Sequence, residues 1–408
     1  MSDPAGMTTG QRIEFYRKRL GMSRPVLAGL VGRSAEWVKA VEIGRLHTPR
    51  LEMLLKIARA LGIRDLADLT GDGLAMPVES FAGEAHANLP AVQAALTEYT
   101  LAPREEEPLS IPHLAMRLRD AWRVHHSSPN QRTAVGSVLP DLIRDARQAV
   151  RATTGADRRQ ARRVLAGVYR LADMYLALQP VPELCWLVAD RAMAEGQEAD
   201  DPHAIAGGAM CLSSLLRNCG RWEEATSVAG EGSRLLEPWL ERTEDDDWRA
   251  AWGALQFVTG HVQARSGRYG DAWAAWERAH DMATRLGPGY QHPDTAFSVA
   301  SMSAHAVSLD VELRRPGEAL RTANTFDPER IPSIPRRGRH LVYVARAHYQ
   351  RGDYVAACAM LDMAEQTAPE IVRYDRYSRE MLLGLAANPP TGMRDVVREL
   401  CGRVGVRL

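Results

Sequence analysis

The sequence predicts an all-α protein built in two parts, and three observations carry that expectation. Almost every segment of ten or more residues spaces its apolar side chains three or four apart, and few stretches show the period of two that a half-buried strand needs. The first 65 residues hold twelve Lys+Arg against six Asp+Glu, whereas the remainder holds 39 against 45. A short motif recurs in the second half: GRWEEA, GRYGDA, RRPGEA and GDYVAA superpose on their last alanine, at Ala225, Ala272, Ala319 and Ala357.

At 408 residues the chain is too long for one ordinary core, given a prior of roughly 100 to 200 residues per domain. The boundaries read as a compact N-terminal domain over 1–70, a linker with a short helix over 71–112, and a helical-repeat body over 113–408. In the first part, Gly21, Gly32, Gly44 and Gly62 stand where short helices stop and the chain turns. Ile13, Leu20, Val26, Leu27, Leu30, Val31, Val38, Val41, Leu51, Leu54, Leu55, Ile57, Ala58 and Leu61 recur at helical spacing and would close a small five-helix core. Ser23 is placed to cap the second helix with Pro25 in its first turn, and Ser34 to cap the third. The linker is marked by GDGLAMPVES and APREEEPLSIP around a helical stretch near 91–99.

In the body the alanines are spaced by 47, 47 and 38 residues, longer than the roughly 34 of a minimal helical-hairpin repeat. Inserts such as ERTEDDDW and LGPGYQHPD supply the excess. The segment 113–155, with TAVGSVLPDLIRDARQAV, reads as long helices ahead of the clear repeats and as a candidate dimer or hinge element.

Several classes are disfavoured. No apolar run reaches a membrane span, and the opening MSDPAGMTTGQRIEF lacks the layout of a signal peptide, so a cytoplasmic protein without membrane contact is expected. Cys185, Cys211, Cys219, Cys358 and Cys401 are odd in number and form no C-x-x-C pair, which argues for reduced, mostly buried thiols rather than disulfides or zinc. His125 and His126 are adjacent and point to different helix faces rather than to one metal. No phosphate loop, zincin or nucleophile-elbow motif is present, so neither catalysis nor a cofactor or metal is expected. Lysine occurs only at positions 18, 39 and 56 among the 51 basic residues, an arginine bias typical of high-GC bacterial genomes.

Over RIEFYRKRLGMSRPVLAGLVGRSAEWVKAVEIGRLHTPRLEMLLKIARALGI the chain resembles the XRE family of helix-turn-helix regulators. The resemblance implies a lambda-repressor-like five-helix domain whose third helix, from Ser34 to Ile43, enters the major groove while the second crosses the backbone. It places Arg24, Ser34, Ala35, Glu36, Trp37, Lys39 and Ala40 at the reading surface, and Arg45 and Arg50 against phosphates. Lys39 has the chemistry to donate to guanine, Glu36 to accept from cytosine, and Ala35 to pack on a thymine methyl. Glu36 serves equally to favour the helix dipole, and Trp37 to pack the core. Arg24 stands where the family often has a Gln that touches DNA. Glu42 matches the family's Glu that pairs with an Arg of the first helix, here Arg17. The loop RLHTPRLEML departs from the family's pattern after its glycine.

In the body, Gly260, Gly267, Tyr269, Ala272, Trp276 and Ala279 resemble the packing positions of a TPR repeat, so an α-solenoid of TPR-like hairpins is expected. The repeat frame puts Arg170, Arg217, Asn218, His261, His305, Arg346 and Tyr349 near its concave face. The whole layout is similar to actinomycete regulators and to peptide-sensing regulators of Gram-positive bacteria. That resemblance implies a homodimer on double-stranded DNA with a peptide or small-molecule signal in the TPR-like body. The alternative is a protein-interaction scaffold with an accessory DNA-binding head.

Overall fold

The computed structural model describes residues 7–46, 49, 51–63, 65–71, 85–98 and 107–406. Among them the regular structure is helical throughout, as the apolar spacing predicts. The chain divides into two units, one of residues 1–83 with 216–221, the other of 84–215 with 222–408.

The first unit holds α1 (Thr9–Arg19), α2 (Arg24–Val31), α3 (Ala35–Glu42), α4 (Leu51–Ala60) and α5 (Ala67–Thr70). Thr8 opens α1 with a reciprocal cap: its hydroxyl accepts from the Gln11 N–H, and Gln11 Oε1 accepts from the Thr8 N–H at 2.9 Å. Ser23 and Ser34 cap α2 and α3 as expected, accepting from Val26 N–H and Trp37 N–H at 3.5 and 3.1 Å. Between them Gly32 has φ +66°, which a side chain would resist, and this left-handed residue makes the short turn from α2 to α3.

The core of this unit is Ile13, Leu27, Ala28, Val31, Val38, Val41, Leu54, Ile57, Ala58, Leu61, Ile63, Leu66 and Leu69. Three expected members lie outside it: Leu20, Val26 and Leu30 are 56, 52 and 61% exposed. Leu55 packs at the edge of the core, and the side chain of Leu51 lies outside the described residues.

The second unit begins with α6 (Leu89–Thr97). This is the helix expected within the linker, but Leu89, Val92, Ala95 and Leu96 are buried in the unit's own first core. The helices α7 (Ile111–Ser127), α8 (Gln131–Ala152), α9 (Gly155–Leu176) and α10 (Pro182–Glu198) complete that core around Leu114, Trp122, Leu139, Ile143, Leu165 and Tyr175. The TAVGSVLPDLIRDARQAV segment buries Val135, Leu139, Leu142, Ile143 and Ala146 inside the unit.

Helical hairpins follow: α11 (Pro202–Asn218) with α12 (Trp222–Leu236), α13 (Asp246–Arg265) with α14 (Tyr269–Leu286), α15 (Val299–Glu312) with α16 (Pro316–Ala323), and α17 (Ile334–Gln350) with α18 (Tyr354–Thr367). The four aligned alanines all stand in the first turn of the second helix of a pair, and all are fully buried. The short helices α19 (Pro369–Tyr374), α20 (Arg376–Ala387) and α21 (Arg394–Val404) end the chain over a separate apolar cluster. The first helices of successive pairs touch, α13 with α15 and α15 with α17, and α17 returns to α7.

Candidate DNA-reading surface and helical interior

In the first unit, α3 is fixed from behind by charge. Arg17 on α1 donates from Nε and Nη2 to the two carboxylate oxygens of Glu42 at 2.5 and 3.0 Å, and both residues are buried. Arg17 Nη1 also donates to the Met22 carbonyl at 2.7 Å. This is the expected Arg17–Glu42 pair. Arg24 joins it, donating to Glu42 at 2.6 Å and to Glu14 at 3.2 Å. Its guanidinium is thus engaged within the unit, with a third of the side chain exposed. Glu42 raises the basicity of Arg24, and the hydrogen bond from Lys18 holds the Glu14 carboxyl below its usual range.

Glu14, Arg17, Lys18, Ser23, Arg24, Pro25, Ala35, Glu36 and Lys39 line one open groove. Lys39 and Glu36 are exposed there, and Ala35 and Ala40 half-buried. Trp37 packs at the edge of the core with the Arg33 guanidinium over its ring, so it serves packing. Arg45 is exposed in the turn after α3, whereas Arg50, with His47 and Thr48 of the departing loop, lies outside the described residues. Lys18 belongs to the groove and was not singled out from the sequence. Its place, one residue before the end of α1, becomes a groove position only when α1 packs on α3.

In the second unit, three of the seven proposed interior residues meet. His261 Nε2 lies 2.9 Å from Ser308 Oγ, and its ring packs edge-on to Phe257 and Tyr343. The His305 ring stacks on Phe257 with centroids 3.5 Å apart. Arg346 donates to Glu312 at 2.9 Å and lies over the Tyr343 and Tyr377 rings. Burial opposes the Glu312 charge, but Arg346 outweighs it and holds this carboxyl down to about 2. Arg170 is elsewhere in the interior, 3.2 Å from the Asp294 carboxylate. Tyr349 packs on Tyr354 at the far end of α17. Arg217 and Asn218 fall in 216–221, which groups with the first unit.

Sequence reasoning missed Phe257, Arg336, Tyr343 and the loop 292–297 in this interior. Burial pushes the His125, His292 and His305 imidazoles well below their ordinary range, and those of His126 and His340 down to about 4. All five are therefore neutral near pH 7. Among the described residues no cluster of His, Cys, Asp and Glu has the makings of a metal site, and no helix is long and apolar enough to cross a membrane.

A family described as a helix-turn-helix domain matches residues 10–69. That stretch covers α1 to α5 and is a helix-turn-helix domain of the XRE type. No curated protein sequence matches the chain. Among solved structures, ComR from S. thermophilus in complex with DNA and its signalling peptide ComS is similar over 74% of this chain and 99% of that one, at 14% identity and a TM-score of 0.29. The apo form of ComR from Streptococcus vestibularis is similar over 74 and 97%, at 13% identity and a TM-score of 0.29. Bacillus thuringiensis PlcR in complex with the peptide PapR7 and DNA is similar over 85 and 98%, at 11% identity and a TM-score of 0.28.

Proposed function

We propose that this chain is a sequence-specific DNA-binding transcriptional regulator, a homodimer whose TPR-like body receives a peptide or small-molecule signal. The observation that carries the reading is the mounting of α3: its inner face is tied to α1 and α2 through Glu42, and its outer face presents Glu36 and Lys39 in an open groove. A rigidly held helix with exposed polar ends is what base reading in a major groove requires. Ala35, Ala40 and Ser34 shape the same surface, Arg45 supplies a phosphate contact beside it, and Arg50 is the second phosphate contact that the resemblance implies. Two such heads would span half-sites about one helical turn apart. A signal acts by binding one arrangement of the dimer better than another.

The test is binding of the full-length protein to DNA from its own upstream region as a salt series, beside Lys39→Ala. The expected result is a saturable, sequence-selective complex that the substitution weakens by about 1–3 kcal/mol, with fold and oligomeric state unchanged. Weak, sequence-blind binding that Lys39→Ala leaves unaltered would sink the reading. It would favour the second one, a protein-interaction scaffold, which the exposed Leu20, Val26 and Leu30 of the head also suit.

A further inference from the structure

The insert between α14 and α15 occupies the interior of the second unit. Three helices that are remote in sequence reach its short stretch 292–297. From α7, His126 Nε2 stands 3.1 Å from the Asp294 carbonyl oxygen. From α9, Arg170 meets the Asp294 carboxylate, and from α17, Arg336 donates to the Thr295 carbonyl. Room is made by glycines: a Cβ on Gly207 would lie 2.7 Å from the Arg170 side chain, and one on Gly253 2.3 Å from the Phe297 ring. The stretch is closed on itself by Ala296 N–H to the His292 carbonyl and His292 N–H to the Phe297 carbonyl, at 2.9 and 3.0 Å.

The positive charge of this interior is answered on one side only. Arg170 has Asp294. Arg336 has a carbonyl and, at 3.4 Å, the ring nitrogen of the neutral His305, while its buried Nε has no partner. Arg339, one turn along α17, bears on it as a second positive charge, and among the described residues neither pairs with a carboxylate. Burial and that neighbour draw Arg336 down to about 10. A guanidinium held out of water with a second positive charge beside it is costly until an anion completes the two. Their planar forks match a carboxylate in particular. Beside them the stacked Phe257 and His305 rings offer an apolar wall.

We propose that Arg336 and Arg339 bind the carboxylate of a ligand entering the helical body, and that the loop carrying Asp294 is the internal occupant this ligand displaces. The inference rests on the reading that the body receives a signal, and it names the chemistry of that signal and the groups that take it. A free small acid and the C-terminus of a peptide share this chemistry.

Isothermal titration of the full-length protein without DNA separates the two sources. The probes are citrate, an N-acetylated Ala-Ala-Ala-Phe peptide with a free C-terminal carboxylate, and the same peptide as its amide, each at constant ionic strength. Asp294→Asn, which removes the internal carboxylate and leaves both arginines, is expected to bind one carboxylate probe at least about tenfold tighter than the parent, and the amide no better. Arg336→Gln with Arg339→Gln is expected to abolish that binding. Should this double variant fail to fold, as judged by circular dichroism, the Lys pair keeps the charges and loses the forks, and about tenfold weaker binding is expected. A gain for citrate alone identifies a small acid, and a gain for the peptide acid a peptide terminus. If neither acid gains affinity in Asp294→Asn, or binding persists without the two guanidiniums, the proposal is wrong. Because DNA is absent, that failure leaves the DNA-binding reading untouched, and failure of the Lys39→Ala test leaves this one untouched.

Discussion

A carboxylate with 1% of its surface in water holds two guanidiniums in the first unit, and the position of α3 depends on it. Removing one member of a buried pair leaves the other charged and desolvated, which costs about 3–5 kcal/mol. Glu42→Gln is therefore expected to destabilise α1 and α3 by about 3 kcal/mol, read as faster amide exchange in peptides from residues 8–46 while peptides from the second unit keep their protection. Unchanged exchange in those peptides would show that the pair does not hold the helix. The Arg17 partnership was legible because both positions belong to a familiar pattern. The place of Arg24 was not, since its long side chain reaches either Glu42 or a bound phosphate from the same Cα. The same limit explains Val26 and Leu30. They are four apart, as are Leu27 and Val31, so periodicity offers two candidate faces of α2, and only the packing of α1, α3 and α4 chooses the second.

Among elements, the aligned alanines fix how each hairpin closes. Twelve residues before them stand Ser213, Gly260, Val307 and Ala345, all buried on the first helix of the pair. Each pair is sized differently. Ser213 Oγ donates to the Ala225 carbonyl at 2.7 Å, whereas at Gly260 a Cβ would stand 3.1 Å from the Ala272 carbonyl. Val307 fits the third pair, yet Gly260→Val should force α13 away from α14 and cost about 1–3 kcal/mol. A urea midpoint lowered at constant slope is the expected result, and an unshifted midpoint would mean that the helices are not in register at Ala272. The hairpin register was visible in the sequence because small residues recur where backbones approach. The role of the insert was not. LGPGYQHPD reads only as extra length, and nothing local states that Asp294 will meet Arg170, more than a hundred residues earlier in the chain.

At the scale of the whole helical body, contacts between its beginning and its end bury charge and imidazole together. Glu370, on α19, accepts from the N–H groups of Arg132 and Thr133 at 2.5 and 3.1 Å, capping the start of α8 from 237 residues away. His126 of α7 meets Ser333 Oγ at 2.9 Å just before α17. Such closure leaves seven histidines, at 86, 125, 126, 203, 292, 305 and 340, with basicity lowered by burial. For each, the unfolded chain takes up a proton as pH falls through about 6.5, while the folded chain refuses it until about 4 at His126 and His340. Stability is therefore highest above pH 6.5 and falls steadily toward pH 4. Asp310 acts in the opposite sense. Burial raises it to about 6, so the folded chain holds a proton that the unfolded chain releases, and this gains stability as pH drops from about 6 toward 3.8. Burial raises Asp247 and Glu195 in the same sense, so three carboxyls oppose seven imidazoles and leave the majority uncompensated. Below pH 4.5 Glu312, held at about 2 by Arg346 against its burial, adds to the loss. The denaturation midpoint of the body is thus expected to decline between pH 6.5 and 4.5, and His126→Asn with His340→Asn to flatten that decline. A midpoint that stays level across the window would show that water reaches these imidazoles in the folded chain.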